Sequence, residues 1–221
     1  MVTFIAALKE VTRSIIPVPA VNVPALKSWH LVVARSLLAL VWGGIAWLIT
    51  WLMVGSGLIG VVLATAGAVA MRWYLCNERE HQGMLECHEC GRRIFNMRDE
   101  LSLLAWQNCV MLVRPALLFL LIWRHQFLWI VVASALGMAI KLTVARRDDA
   151  NQGWVSAVAI ALLLAAIGSK LGVVGGNVFM LGVIASIISW LLSKYLENLG
   201  DISPDAALFI GETIALLIGI C

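Results

Sequence analysis

Two cysteines with Cys-x-x-Cys spacing, Cys87 and Cys90, lie in a polar stretch of an otherwise apolar chain. This spacing lets two thiolates reach one tetrahedral zinc ion. Cys76 and His81 are near enough in sequence to supply the other two ligands, and His88 is a further candidate. We therefore predict a structural Zn²⁺ site formed by Cys76, His81, Cys87 and Cys90. The alternatives are an unligated polar loop and a redox dithiol, although the βαβ pattern of thioredoxin-like proteins is missing.

Two ionisable residues lie deep in apolar runs. Arg114 precedes Pro115 in CVMLVRPALLF, and Glu212 lies in LFIGETIALL. Charges at such depth are costly and face a bundle interior or a partner. We expect Arg114 and Glu212 to form a buried pair, with Gln107 and Asn108 adding hydrogen bonds. Alternatively, Arg114 fills the gap left by the donor that Pro115 lacks, Glu212 is protonated or bonded to a neighbouring helix, or the two serve an intermolecular contact or a transport path.

The composition places these residues in a membrane. Of the 221 residues, 62% are hydrophobic and 13% are charged, whereas globular domains have about 45–50% and about 25%. A membrane-spanning helix needs about 20 apolar residues. Seven runs approach that length, at 31–53, 58–75, 101–123, 127–144, 154–174, 178–192 and 206–220. We predict an all-α, polytopic membrane helical bundle with about seven transmembrane helices, forming a single integral membrane domain over 1–221.

The remaining segments complete the predicted organisation. Residues 1–16 have apolar side chains on one helical face and charged ones on the other, which is typical of an interfacial amphipathic helix. Three prolines make 17–30 an extended linker. Ser203, Pro204 and Asp205 are typical of a helix start. Cytoplasmic loops are expected at 76–100, 145–153 and 193–204, so that the spans group as 31–75, 101–144, 154–192 and a last helix at 205–221.

The distribution of basic residues predicts the orientation. If the N-terminus is cytoplasmic, the inside segments contain most of the basic residues and the outside turns contain only Arg124. The inside set is Lys9, Arg13, Lys27, Arg79, Arg92, Arg93, Arg98, Arg146, Arg147 and Lys194. The positive-inside rule then predicts an N-in, C-out protein of the bacterial inner membrane. These few loop arginines do not indicate nucleic-acid binding.

Four segments resemble the cobamide synthase family, membrane transferases of late cobalamin biosynthesis. They are AALKEVTRSIIPVPA, RRIFNMRDE, VARRDD and DAALFIGETIALL, and their order and approximate spacing agree over most of the chain. The resemblance implies a shared helical scaffold and carries over Arg98, Asp99 and Glu212. The family's DGxxDxxDG loop and Thr-Gly-Asp motif, which would hold Mg²⁺ and the substrate phosphates, have no counterpart here, because the matching segment reads NEREHQGMLECHECG.

The first functional hypothesis is a non-enzymatic protein that contacts another integral membrane protein laterally. It would act as an assembly factor, adaptor, exclusion protein or immunity protein in a secretion or DNA-transfer system, such as plasmid conjugation. Membrane lipids would be its other partners, and a homo-oligomer is compatible with this role. The short outer turns favour it, as does the lack of a convergent acid, base or nucleophile set in the sequence.

The second hypothesis is a membrane transferase related to cobamide synthase, acting on a nucleotide-activated or lipid-like substrate. A divalent metal such as Mg²⁺ would bind cytoplasmic acids, which are Glu78, Glu80, Glu86, Asp99 and Glu100. A small transporter ranks last, because Pro115 breaks a helix in one half of the chain without a clear counterpart in the other.

Overall fold

The computed structural model describes residues 2–12, 26–53, 56–170, 178–200 and 202–220. These residues form eight helices without any strand, so the all-α prediction is confirmed for this part of the chain. The helices are α1 (Val2–Val11), α2 (Ser28–Leu52), α3 (Leu58–Ile94), α4 (Glu100–Trp123), α5 (Phe127–Val144), α6 (Ala150–Lys170), α7 (Val178–Leu199) and α8 (Pro204–Ile220).

Six of the described helices, α2 to α7, are long and apolar enough to cross a membrane, with Leu58–Cys76 as the apolar part of α3. The chain is therefore a multi-pass helical membrane bundle. Helix α8 has 17 residues, which is at the lower limit for a span, so the count of seven stays a prediction, as does the orientation. Helix α1 packs against α2, and its interfacial position is likewise untested. Residues 13–25, which include most of the proline-rich linker, lie outside the described residues.

Helix α5 lies at the centre of the bundle, with 78% of its residues buried. It packs against α2, α6, α7 and α8. Small residues make this close packing possible, because the lipid provides no hydrophobic force between helices and backbones must approach closely for van der Waals contact. At Gly137 an added Cβ would lie 2.9 Å from the Cβ of Glu212. This glycine therefore permits the approach of α8 to α5.

The chain between 76 and 94 is helical, although a loop was predicted over 76–100. Helix α3 continues to Ile94 without interruption and has 37 residues. This segment contains no proline, and seven of its 19 residues are Glu or Arg, which favour helix. Its two glycines lie where neighbours approach: the backbone of Asp205 is next to Gly83, and the ring of Trp106 is next to Gly91. High polarity therefore marked the end of the apolar part of the helix and not the end of the helix.

Helices α3, α4 and α5 end in the same way. The residues Asn96 (φ 47°), His125 (φ 58°) and Arg146 (φ 52°) adopt the left-handed conformation. In each case the next residue donates its N–H to the carbonyl five positions earlier, as in a Schellman motif. These caps produce short turns after α4 and α5.

The starts of α2, α6 and α8 lie at one end of the bundle, which we call the near end. Asp149, just before α6, accepts hydrogen bonds from Ser28 N and Ser28 Oγ, both at 2.6 Å. It thereby satisfies an otherwise free backbone donor of α2. Ser203 Oγ accepts from Ala206 N at 3.1 Å, so the predicted start of α8 is confirmed. The predicted loop at 193–204 is shorter than expected, because α7 continues to Leu199.

Candidate functional site

Five helices meet at the carboxylate of Glu212, which is fully buried. Its Oε2 accepts from Nη2 of Arg72 at 2.8 Å, of Arg114 at 3.2 Å and of Arg35 at 3.3 Å. Its Oε1 accepts from Ser134 Oγ at 2.7 Å. We call these five residues the central cluster. One carboxylate on α8 thus bonds to α2, α3, α4 and α5 at a single depth.

Aromatic rings and carbonyls surround the guanidinium groups of the central cluster. The Arg35 and Arg72 guanidinium carbons lie 5.2 and 5.4 Å from the ring centroid of Trp42, within cation–π range. Arg114 lies 4.1 Å from the Phe209 ring centroid and donates to the Phe209 carbonyl at 3.2 Å. The three arginines are 2 to 6% exposed. Charged groups so enclosed depend on one another for stabilisation, because taking them out of water is costly.

The sequence analysis paired Arg114 with Glu212, and the structure brings them together. It did not find Arg35, Arg72 or Ser134. Arg35 is only seven residues into α2, and Arg72 lies near the end of a predicted span. From both positions an arginine side chain can extend to the membrane–water interface, so neither was expected to be buried. The detectable signal was that each lies within a mostly apolar run, in LVVARSLLAL and AVAMRWYL.

Gln107 and Asn108, which were expected to support the pair, are exposed on α4. They therefore do not contribute hydrogen bonds to the central cluster.

Cys76 lies with the central cluster and not with the Cys-x-x-Cys pair. Its Sγ accepts from Arg35 Nη1 at 3.1 Å and donates to the Val11 carbonyl at 3.7 Å. Cys76 and Cys87 are on one continuous helix, where eleven residues correspond to about 16 Å. The four predicted zinc ligands therefore do not form one site. The physical reason is that a helix, unlike the predicted loop, cannot fold back to bring them together.

Cys87 and Cys90 remain one helical turn apart on α3. Burial, with the neighbouring Cys90, raises the pKa of the Cys87 thiol, and the Arg114 charge opposes this effect only in part. A raised pKa disfavours the thiolate that zinc requires. His81 is exposed, and no group of three or more His, Cys, Asp or Glu side chains at metal-binding distance occurs among the described residues. Zinc binding by the pair stays a prediction.

The end of α3 (81–94) and the start of α4 (100–109) run antiparallel. We call this unit the α3–α4 hairpin. Trp106 Nε1 donates to the His88 carbonyl at 3.2 Å, and the Phe95 and Trp106 ring centroids are 5.7 Å apart. Asp99 caps α4 by accepting from Ser102 N at 3.2 Å. These contacts give the hairpin a small core of its own.

The residues carried over from the cobamide synthase resemblance are not gathered in one place. Arg98 and Asp99 lie at the turn of the hairpin, and Asp99 is fifteen residues before Arg114, about 22 Å along α4. Glu212 lies in the central cluster. Among the acids proposed for Mg²⁺, Glu86 is bonded to Ser203 and Glu100 is exposed in the first turn of α4. The side chains of Glu78 and Glu80 lie outside the described part of the chain.

Comparison with known proteins gives no relative from which a function can be inferred. No protein family, curated protein or solved structure matches the chain. Because one fold can host many activities, a helical bundle does not by itself indicate a reaction. The functional proposal therefore depends on which surfaces the bundle presents.

Proposed function

We propose that the chain is a non-enzymatic, multi-pass protein of the bacterial inner membrane that contacts another integral membrane protein. An assembly, adaptor, exclusion or immunity role in a secretion or DNA-transfer system is the biological setting we propose for this contact. The contact surface is the α3–α4 hairpin. The observation that carries the proposal is the extension of this hairpin past the start of α8, with apolar side chains exposed on it.

The extent of the projection follows from the position of Gly83. The backbone of Gly83 lies against the backbone of Asp205, in the first turn of α8 at the near end. Helix α3 then continues for eleven residues to Ile94, about 16 Å at the α-helical rise. The hairpin thus extends past the level where α8 begins.

The exposed surface of the hairpin is partly apolar. Leu101 is 75% exposed, and Leu85, Phe95 and Leu104 are also exposed. Charged side chains, among them Arg92 and Glu89, lie on the same unit with about half of their surface exposed. Apolar groups ringed by charges are typical of protein interaction sites. Leu101 and Leu104 lie at the start of the candidate span Glu100–Trp123, so a protein that covers them is itself in the membrane.

The proposed orientation places the turn of the hairpin, 95–99, at the cytoplasmic surface, where the span of α4 begins. Arg147, which donates to the Leu26 carbonyl, and Lys141, which pairs with Asp205, lie at the near end. Arg92 and Arg93 lie on the hairpin itself. The positive-inside rule assigns such an end to the cytoplasmic side.

Site-specific photocrosslinking in intact membranes tests this proposal. A benzoylphenylalanine residue is placed at Leu101 or Leu104 on the hairpin, and at Leu163 on α6 as a matched lipid-facing control that is 60% exposed. We expect one adduct of defined mass from the hairpin positions and none from Leu163. Mass spectrometry of the adduct should identify an integral membrane protein.

Two variants sharpen the test. Leu104→Asp should abolish the adduct from position 101, because a charge interrupts the apolar patch, whereas Leu163→Asn should leave it unchanged. If the hairpin gives no adduct, or if all positions give the same adducts, the proposal is contradicted. An adduct with a second copy of the chain would replace the proposed partner by a homo-oligomer.

The alternative transferase has no specific support from the arrangement of the described residues. Its carried-over residues lie far apart along α4 and α8, and Asp99 is already engaged as a helix cap. We therefore do not advance it.

A further inference from the structure

A cavity of about 360 Å³ lies in the half of the bundle opposite the near end, which we call the far half. It is bounded by the second half of α2, the start of α5, the end of α6, and one residue each of α7 and α8, Leu181 and Gly219. Its volume is within the range of small-molecule sites in proteins. The central cluster lies on the near side of this cavity, so the two features are distinct.

The wall of the cavity is mostly apolar. Val131, Val132 and Ala165 line it and are almost completely buried. Trp129 also lines it, but its Nε1 donates to the Ala215 carbonyl at 2.7 Å and needs no further partner. A water molecule in a cavity needs two to four polar partners, which such a wall does not supply. The wall therefore suits a hydrocarbon guest.

The cavity is accessible from the lipid. Leu40 and Trp47 line it on the α2 side and are 42% and 53% exposed. A chain from the surrounding bilayer can thus enter sideways, without passing through water.

The rim of the cavity is polar, and a positively charged residue lies next to it. His125 and Gln126 line the cavity at the turn between α4 and α5. Arg124, the residue before them, is exposed and reaches the carbonyl of Ile220 at the end of α8. A guanidinium beside the rim complements an anionic phosphodiester.

We propose that this cavity binds one acyl chain of a phospholipid with an acidic headgroup. The chain lies against Val131, Val132 and Ala165, and the headgroup phosphate contacts Arg124 and Gln126 at the rim. The bound lipid fills the space that α2, α5 and α6 leave between them.

Photolabelling with a defined lipid tests the proposal. The purified full-length chain is reconstituted in phosphatidylcholine vesicles that contain a trace of phosphatidylglycerol with a diazirine in its acyl chain. Illumination followed by peptide mapping then locates the label. We expect label on the buried residues Val131 and Val132 of α5, as well as on exposed Leu163, which reports contact with bulk lipid.

A glycine offers a way to fill the cavity. Gly168 is buried, yet an added Cβ would have no atom within 4 Å, so its missing side chain points into open space. Gly168→Leu should reduce labelling of α5 severalfold and leave labelling of Leu163 unchanged. Ala166→Leu, on the exposed side of the same helix, is the matched control and should label α5 as the wild type does.

The outcomes separate the parts of the proposal. Absence of label on α5, or equal labelling of α5 in Gly168→Leu and the wild type, would overturn the acyl-chain site. Labelling of Leu163 in each variant shows that α6 is inserted in the bilayer. A phosphatidylcholine probe should label α5 severalfold less than the phosphatidylglycerol probe, and equal labelling would overturn the preference for an acidic headgroup.

Discussion

The central cluster and the α3–α4 hairpin contain the same types of charged residue in opposite surroundings. Glu212 is fully buried and accepts from three arginines on three helices. Glu89 on the hairpin pairs with Arg92 at 4.0 Å, with both side chains about half exposed. Water screens the second pair and competes for its hydrogen bonds, whereas the first has only its partners.

This difference assigns stability to the central cluster and, under the proposed function, recognition to the hairpin. Removing one partner of a buried ion pair leaves a charge that nothing solvates. Any other arrangement of the five helices would separate these partners, so the central cluster favours the one in which they meet. Exposed charges contribute little to stability, and the hairpin is therefore free to vary its surface for a partner. The predictions below should separate the two regions by the size of their effect.

Glu212→Gln should have the largest effect. The amide keeps the shape of the side chain but removes the charge that three buried arginines share. We expect a loss of about 3–5 kcal/mol in the free energy of unfolding, measured by denaturation in mixed micelles. Glu89→Gln is the matched control on the hairpin and should change it by less than about 1 kcal/mol. Equal losses would refute the contrast between the two regions.

Arg114→Met should have a smaller effect than Glu212→Gln, because Arg35 and Arg72 still neutralise the carboxylate. The loss includes the hydrogen bond to the Phe209 carbonyl and the contact with the Phe209 ring. We expect the free energy of unfolding to decrease by about 1–3 kcal/mol in the same measurement. Arg93→Met, on the exposed part of the hairpin, is the control. A loss as large as that of Glu212→Gln would mean that the three arginines are not redundant.

Asp149→Asn probes the near end and should cost about 1 kcal/mol, as loss of a helix cap does. Burial would raise the pKa of Asp149, but the hydrogen bonds from Ser28 and the charge of Arg147 lower it below its ordinary 3.8. A carboxylate with a lowered folded-state pKa stabilises the protein above its unfolded pKa and loses this contribution as the pH falls through the folded value. The free energy of unfolding, measured from neutral pH to below pH 4, should therefore decrease as the pH falls. The decrease should be smaller in the Asn variant than in the wild type.

The double variant Cys87→Ser with Cys90→Ser should have the smallest effect on stability, within about 0.5 kcal/mol, because the pair is only partly buried on the hairpin. Zinc content of the purified protein is measured in parallel. If the pair binds zinc, the double variant loses it and Cys76→Ser does not, since Cys76 is bonded to Arg35. Loss of zinc in Cys76→Ser would contradict the helical separation of these residues.

Much of the architecture was predictable from local patterns. Apolar runs of membrane length are a property of consecutive residues, so the helices from α2 to α7 lie close to the predicted spans. The start of α8 was predictable for a similar reason, because Ser203, Pro204 and Asp205 act within one helical turn. By contrast, polarity at 76–94 indicated a loop, since the sequence signal for leaving the membrane resembles the signal for ending a helix.

The sequence alone determined the class of the protein, a helical membrane bundle, and predicted a buried pair of Arg114 and Glu212. Only the tertiary structure decided that Arg35, Arg72 and Ser134 join them, because these residues are up to 177 positions from Glu212 in sequence and meet only when α5 and α8 pack through Gly137. It also decided that Cys76 faces this cluster and that α2, α5 and α6 leave a cavity between them. The physical reason is that span formation depends on neighbouring residues, whereas ion pairing and cavities depend on which helices pack together.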